Sequence, residues 1–182
     1  MKLLTGLFLT FLVAATVSSD SSNTLMIGNS GEPATLDPHK YNLRLEETLL
    51  NDLFLGLTTF NADGEIVAGA AESWETSADG LTWRFFLRED LKWSDGKNLT
   101  AEDFVYSFRR LLNPQTAASL SYFLYMIKNA EQVNNAQKAV SSLGVYSDGP
   151  NILVIELDRP YPYLLERLLY PTGFPVPKHV IE

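Results

Sequence analysis

The chain has 182 residues, with 22 acidic against 14 basic side chains and a formal net charge of -8. Apolar residues make up 46% and aromatics 12%, enough to build a packed domain and too much for a disordered tail. The acidic balance and the scatter of cations outside Arg109-Arg110 argue against a nucleic-acid partner, and the lack of cysteine excludes disulfides, thiolate metal sites, thiol nucleophiles and a lipoprotein cysteine.

In chain order, the first residues read as an export signal. Lys2 supplies a positive start, Leu3 to Val17 is an uncharged apolar run, and Val17-Ser18-Ser19 offers a cleavage site before Asp20. The run is shorter than the roughly 20 apolar residues that span a bilayer, and no later stretch is apolar for long enough. "TLMIGN" (Thr24 to Asn29) has strand composition. "SGEPATLDPHKYN" is broken by two prolines and a glycine and reads as loop. Leu45, Leu49, Leu50, Leu53 and Phe54 recur at helical spacing, with Glu46 and Glu47 as a solvated helix start and Gly56 as the stop.

Four Asp-Gly pairs, at Asp63-Gly64, Asp79-Gly80, Asp95-Gly96 and Asp148-Gly149, mark tight turns. Between them, "LTWRFFLR" (Leu81 to Arg88), "LKW" (Leu91 to Trp93) and "NILVIEL" (Asn151 to Leu157) are strand-like, which predicts a small, largely antiparallel sheet. Trp93 ends a strand and Ser94-Asp95-Gly96 turns the chain. Thr100 is the N-cap of a helix, with Glu102 and Asp103 in its first turn. Phe104, Val105, Phe108, Leu111 and Leu112 form its buried stripe, and Asn113-Pro114 ends it. Trp83, Phe85 and Trp93 are expected in the core with Phe104 and Phe108. Further helices are expected over residues 119–136 and 163–169.

The chain carries no phosphate-cradling glycine loop and no serine-nucleophile elbow. His39 and His179 lie far apart, and no metal site or cofactor is expected from them. The adjacent acids Glu46-Glu47 and Glu102-Asp103 point apart on a helix, so they read as surface or capping groups rather than an acid/base couple. An enzymatic role is not expected. A secreted hydrolase with paired carboxylates and a standalone interaction module are the readings from other classes.

Several stretches, taken together and in order, carry a family resemblance. They are "LDPHK" (Leu36 to Lys40), "DLFLGL" (Asp52 to Leu57), "AESWETSADGLTWRFFLREDLKWSDGKNLTAEDFVYSFRRLLNP" (Ala71 to Pro114) and "RPYPYLLERLLYPTGFPVPK" (Arg159 to Lys178). The chain resembles the solute-binding proteins of bacterial oligopeptide ABC transporters, extracellular solute-binding protein family 5. The resemblance implies an α/β (α+β) fold, the N-terminal part of a two-lobed, class II periplasmic-binding-protein-like architecture. Its small sheet is mixed or antiparallel with flanking helices. It further implies a signal peptide at 1–19, the start of the large subdomain of lobe I at 20–54, the small subdomain at 55–178 and a return to lobe I at 179–182. The second lobe is expected to be missing, so the chain reads as a fragment.

The implied function is capture of extended oligopeptides in an interlobe cleft and delivery to ABC permease subunits, as a periplasmic protein that is monomeric at full length. Dipeptides, a nickel chelate, haem or an opine-like metabolite are alternative cargoes on the same fold. The resemblance places a backbone-pairing segment at Tyr41, Asn42, Leu43 and Arg44, where the loop after Pro38 is expected to leave N–H and C=O groups free. The alternative there is an ordinary exposed linker. The family's peptide-binding branch can place a carboxylate at the Asn42 position, and asparagine keeps the hydrogen bonding without the charge. A tyrosine after the Asn-Pro helix end makes a second contact in relatives. Strict spacing places Leu120 there, and Tyr122, two residues on, is the candidate. The acidic group that holds a peptide's amino terminus lies in the second lobe of relatives, so weak or absent peptide binding is expected of this chain alone.

Overall fold

A computed structural model describes residues 28–182. The expected signal at 1–19 and most of the expected strand at 24–29 lie outside the described residues, and Gly28 and Asn29 carry no strand. The elements are α1 (Arg44–Leu53), β1 (Thr58–Phe60), β2 (Ile66–Ala68), β3 (Ala71–Thr76), β4 (Thr82–Leu87), α2 (Ala101–Leu112), α3 (Ala130–Asn134), β5 (Val145–Ser147), β6 (Ile152–Glu156), α4 (Leu164–Leu168) and α5 (Lys178–Ile181). β1 and β2 form a two-stranded antiparallel ribbon. The other strands form one sheet in the order β3-β4-β6-β5, antiparallel throughout.

The Asp-Gly turns fall where expected. Gly64, Gly80, Gly96 and Gly149 all have positive φ, between 70° and 88°. β4 is the spine of the sheet. Its Phe85 is fully buried, lies opposite Trp74 of β3 and stacks at 6.3 Å on Trp83. α2 lies across β5 and β6 and buries Phe104, Val105, Phe108, Leu111 and Leu112, the whole expected stripe. Its start is a capping box. The Asp103 carboxylate accepts from the Thr100 N–H at 2.8 Å and from the Thr100 hydroxyl at 3.3 Å. Arg109 and Arg110 sit in its last turn, the end that favours cations. Burying a phenylalanine such as Phe108 stabilises by about 2–3 kcal/mol, so this stripe dominates the cohesion of the sheet-helix layer.

Four expectations are corrected. The single helix over 119–136 is instead two short pieces, a one-turn 3-10 segment at Ser121–Leu124 and α3. Asn129 and Ala136 adopt φ of 64° and 58°, and Ile127 bridges to Leu157, so the chain is drawn to the sheet edge between them. "LKW" contributes one isolated bridge, Lys92 to Asn98, rather than a strand. Trp83 and Trp93 are only partly buried, because an indole is large and is seldom covered on every side. Gly56 does not stop α1, which ends at Leu53 with Phe54 extended. Gly56 is needed for close packing: a Cβ there would meet the Phe174 ring at 2.7 Å. The opposing Gly69 is tighter still, since its Cβ would lie 2.5 Å from the Gly56 carbonyl oxygen.

Candidate functional site

The loop before α1 is tied to the end of α2 by one charged cluster. Arg110 donates from Nη1 to Asp37 Oδ1 at 3.0 Å and from Nη2 to Asp37 Oδ2 at 2.6 Å, a two-point carboxylate clasp. The same Nη1 donates to His39 Nδ1 at 2.8 Å. A guanidinium can only donate, so His39 Nδ1 accepts, and the ring proton sits on Nε2, which donates to the Phe174 carbonyl at 3.3 Å. His39 is 2% exposed. Burial first, and the Arg110 cation second, push its pKa down to about 4. Burial alone would raise Asp37; the Arg110 hydrogen bond, helped by the His39 N–H, outweighs it and holds the carboxyl below its usual range. The "LDPHK" motif is thus an anchor. It joins α2 to the segment 171–177, which Ser107 also holds, accepting the Val176 N–H at 2.8 Å.

Just beyond this anchor lies the expected pairing segment. Glu46, expected to be solvated, is buried. Its Oε1 accepts the Ala34 N–H at 2.9 Å, and Oε2 accepts the N–H groups of Asn42 at 3.0 Å and Leu43 at 3.2 Å. The Asn42 N–H contributes most to lowering the Glu46 pKa, against the opposing effect of burial. The expectation of free backbone groups over 41–44 therefore holds in part. The Asn42 and Leu43 N–H groups serve the helix cap, and the Leu43 carbonyl accepts from Glu46 and Glu47. Among the described residues, the Tyr41 N–H and the carbonyls of Tyr41 and Asn42 have no hydrogen-bond partner. The side chains of Asn42, Leu43 and Arg44 are exposed, whereas Tyr41 is buried.

Tyr122 belongs to an aromatic array whose Tyr122 and Tyr170 hydroxyls lie within electrostatic reach of Tyr41. Burial, then Glu47, Tyr170 and Tyr122 in that order, raise the pKa of the Tyr41 hydroxyl, which has no hydrogen-bond partner among the described residues. Tyr122, 55% exposed, meets Phe123 edge-on at 4.8 Å, and Phe123 meets Tyr170 edge-on at 5.3 Å. The Arg167 guanidinium lies 5.3 Å from the Phe123 ring centre and donates from Nε to the Tyr161 hydroxyl at 3.2 Å. Leu120, at the strict family spacing, is partly buried and opens the 3-10 turn that presents Tyr122. Phe123, Tyr161, Arg167 and Tyr170 were missed by the sequence reading. The tyrosine-rich "RPYPY" run was the one available signal, and its partners are about forty residues away in sequence.

Elsewhere on the surface Leu36, Leu53, Leu55, Phe60, Val180 and Ile181 are exposed, and Leu36 lines cavities with Leu53, Leu55 and Ile181. A cavity of about 480 Å³ runs between Leu36, Leu53, Trp93 and Pro177. Among the described residues, no three His, Asp or Glu side chains are placed to hold a metal ion, and no helix is long and apolar enough to cross a membrane.

The fold matches part of the fold of bacterial periplasmic solute-binding proteins. The structure of Haemophilus influenzae OppA in complex with the peptide RPPGFSPFR superposes with a TM-score of 0.80 at 37% identity, over 82% of this chain and 30% of that one. In sequence, the chain is 38% identical over 165 residues to the periplasmic oligopeptide-binding protein OppA of Haemophilus influenzae, covering 90% of this chain and 30% of that protein. It is 39% identical over 155 residues to the probable deoxycholate-binding periplasmic protein YgiS of Escherichia coli, covering 84% and 29%. The profile of the bacterial extracellular solute-binding proteins, family 5 (middle region), matches residues 65–181, and the chain belongs to that family. It spans about 30% of the length of these curated relatives.

Proposed function

We propose that the chain contributes to a solute-binding component of a peptide ABC transporter, capturing extended oligopeptides and handing them to the permease subunits. The observation that carries this reading is the likeness to the peptide-bound OppA structure. The site geometry agrees with it. Among the described residues the Tyr41 N–H and the carbonyls of Tyr41 and Asn42 are unpaired, in a segment whose Asn42, Leu43 and Arg44 side chains are exposed, and unpaired backbone groups suit pairing with an extended chain. Tyr41, Asn42, Leu43, Arg44 and Tyr122 are the proposed contacts. The Glu46 cap fixes the Asn42 and Leu43 backbone before ligand arrives, which lowers the ordering cost of binding.

On this reading, residues 20–54 start the large subdomain of lobe I, 55–178 are its small subdomain and 179–182 return to lobe I, and the exposed Leu53, Leu55 and Ile181 pack against the rest of that lobe. Export through a cleaved signal at 1–19 would place the protein in the periplasm. It would be a non-enzymatic monomer at full length. The relative named for deoxycholate favours a second reading, an amphipathic steroid acid as cargo.

The test is a titration of the labelled chain with tri-, tetra- and pentaalanine, followed by proton–nitrogen correlation spectra. We expect weak, saturable shifts at Tyr41, Arg44 and Tyr122. Saturation by deoxycholate with silence towards all three peptides would replace the peptide reading with the second one.

A further inference from the structure

We infer that Arg159 and Arg167 form a carboxylate-binding subsite beside Tyr122, suited to an acidic side chain of a bound peptide. The two arginines, with Tyr122, Phe123, Tyr125 and Tyr161, line a cavity of about 190 Å³. That is below the roughly 300–1,000 Å³ of pockets that engulf drug-sized ligands, and it matches one side chain. No carboxylate lines it. Arg84 and Arg110 are matched to Asp148 at 2.8 Å and Asp37 at 2.6 Å. Among the described residues, Arg159 and Arg167 have no acid within ion-pair distance. The neighbouring acids are turned to other uses: Asp158 accepts the Asn129 N–H at 3.3 Å, and Glu166 lines a separate cavity with Thr58 and Phe60.

Arg167 is also aimed in advance. Nε is spent on the Tyr161 hydroxyl at 3.2 Å, and the Phe123 ring supports the guanidinium at 5.3 Å. The two terminal nitrogens, the edge that grips a carboxylate in two-point fashion, have no hydrogen-bond partner among the described residues. Tyr161, which accepts from Arg167, keeps its own O–H available to donate to the same anion. Arg159 is exposed at the cavity mouth and adds a second positive charge. Planar donors within an aromatic wall select a carboxylate attached to an aliphatic or aromatic stem over a free, fully hydrated ion.

The carboxylate subsite stands on this geometry; its assignment to a peptide side chain rests on the proposed peptide function. The probe is glutarate, titrated into the whole chain at low salt while the arginine Nε–H signals are followed. We expect saturable shifts of Arg167 and Arg159, with neutral glutaramide silent. Arg167→Gln is expected to weaken glutarate about tenfold, the effect of one charge-assisted contact. Arg159→Gln, at an exposed position, should weaken it by a few-fold and keeps the test readable if the first variant loses its fold. Equal shifts with glutaramide, an unchanged affinity in both variants, or tighter binding of inorganic phosphate than of glutarate would overturn the carboxylate assignment. Ala-Glu-Ala and Ala-Gln-Ala separate the two claims. If both tripeptides bind equally and glutarate does not bind, the subsite fails and the peptide function stands. If glutarate binds and both tripeptides shift Arg167 but neither shifts Tyr41 or Arg44, backbone capture at that segment fails and the carboxylate subsite stands.

Discussion

His39 should make the fold sensitive to mild acid. In the unfolded chain its imidazole takes a proton near pH 6.5, whereas in the fold that value is held down to about 4 by burial and by Arg110. A depressed pKa means that the unfolded state binds the proton first. The stabilisation is complete above about pH 6.5 and is lost as pH falls towards 4. Between pH 7.5 and pH 5 the difference amounts to about 2 kcal/mol, or roughly 4–8 °C in Tm for a chain of this size. Asp37 is held below its ordinary range, so it stays ionised across this window and does not blur the result. The comparison is between the wild-type chain and His39→Asn, whose side-chain oxygen can still accept from Arg110 but cannot titrate. Denaturant unfolding at the two pH values should show the wild type losing about 2 kcal/mol more than the variant. Equal losses in the two proteins would refute the assignment of His39 as a buried neutral acceptor.

Other expectations follow from the packing. Gly69→Ala places a methyl group 2.5 Å from the Gly56 carbonyl oxygen, a backbone atom that cannot swing away, and should cost about 2–3 kcal/mol in denaturant titration. Phe108→Ala empties a fully buried position and should cost about 3–5 kcal/mol, whereas Trp93→Ala, at a half-buried site, should cost clearly less in the same assay. Glu46→Gln removes a buried charge that accepts the Ala34, Asn42 and Leu43 N–H groups. Hydrogen exchange at Asn42 and Leu43 should quicken about tenfold, while the centre of α2 is unaffected.

The parts of the fold legible in the sequence are those in which local signals agree. α2 has its capping threonine, its acids at one end and arginines at the other, a helical stripe, and Asn-Pro to stop it. Each Asp-Gly pair demands the same backbone at one residue, whatever surrounds it. β3 was not legible, because it is a sheet edge with most side chains in solvent, so "AESWET" shows no alternation to read. The stretch 119–136 misled for the opposite reason. Leu124, Ile127, Ala130 and Val133 are buried at helix-like spacing, yet they are reached by a chain that reverses at Asn129. At the site, Tyr41 and Tyr122 could be nominated singly from the resemblance. That Tyr122 stands in an array depends on Phe123 and Tyr170, and that Arg167 lines a cavity beside it depends on Tyr161 and Phe123. These are contacts across the fold that no local spacing encodes.

The proposed binding mode holds an extended peptide through its backbone near Tyr41 and Tyr122. N-methylation tests it most directly, because it removes peptide donors and leaves side chains in place. Two pentaalanines, one unmodified and one N-methylated at alternate residues, are titrated into the labelled chain. The account expects the unmodified peptide to give saturable shifts at Tyr41, Arg44 and Tyr122 and the methylated one to give none. Equal responses to both peptides would contradict it.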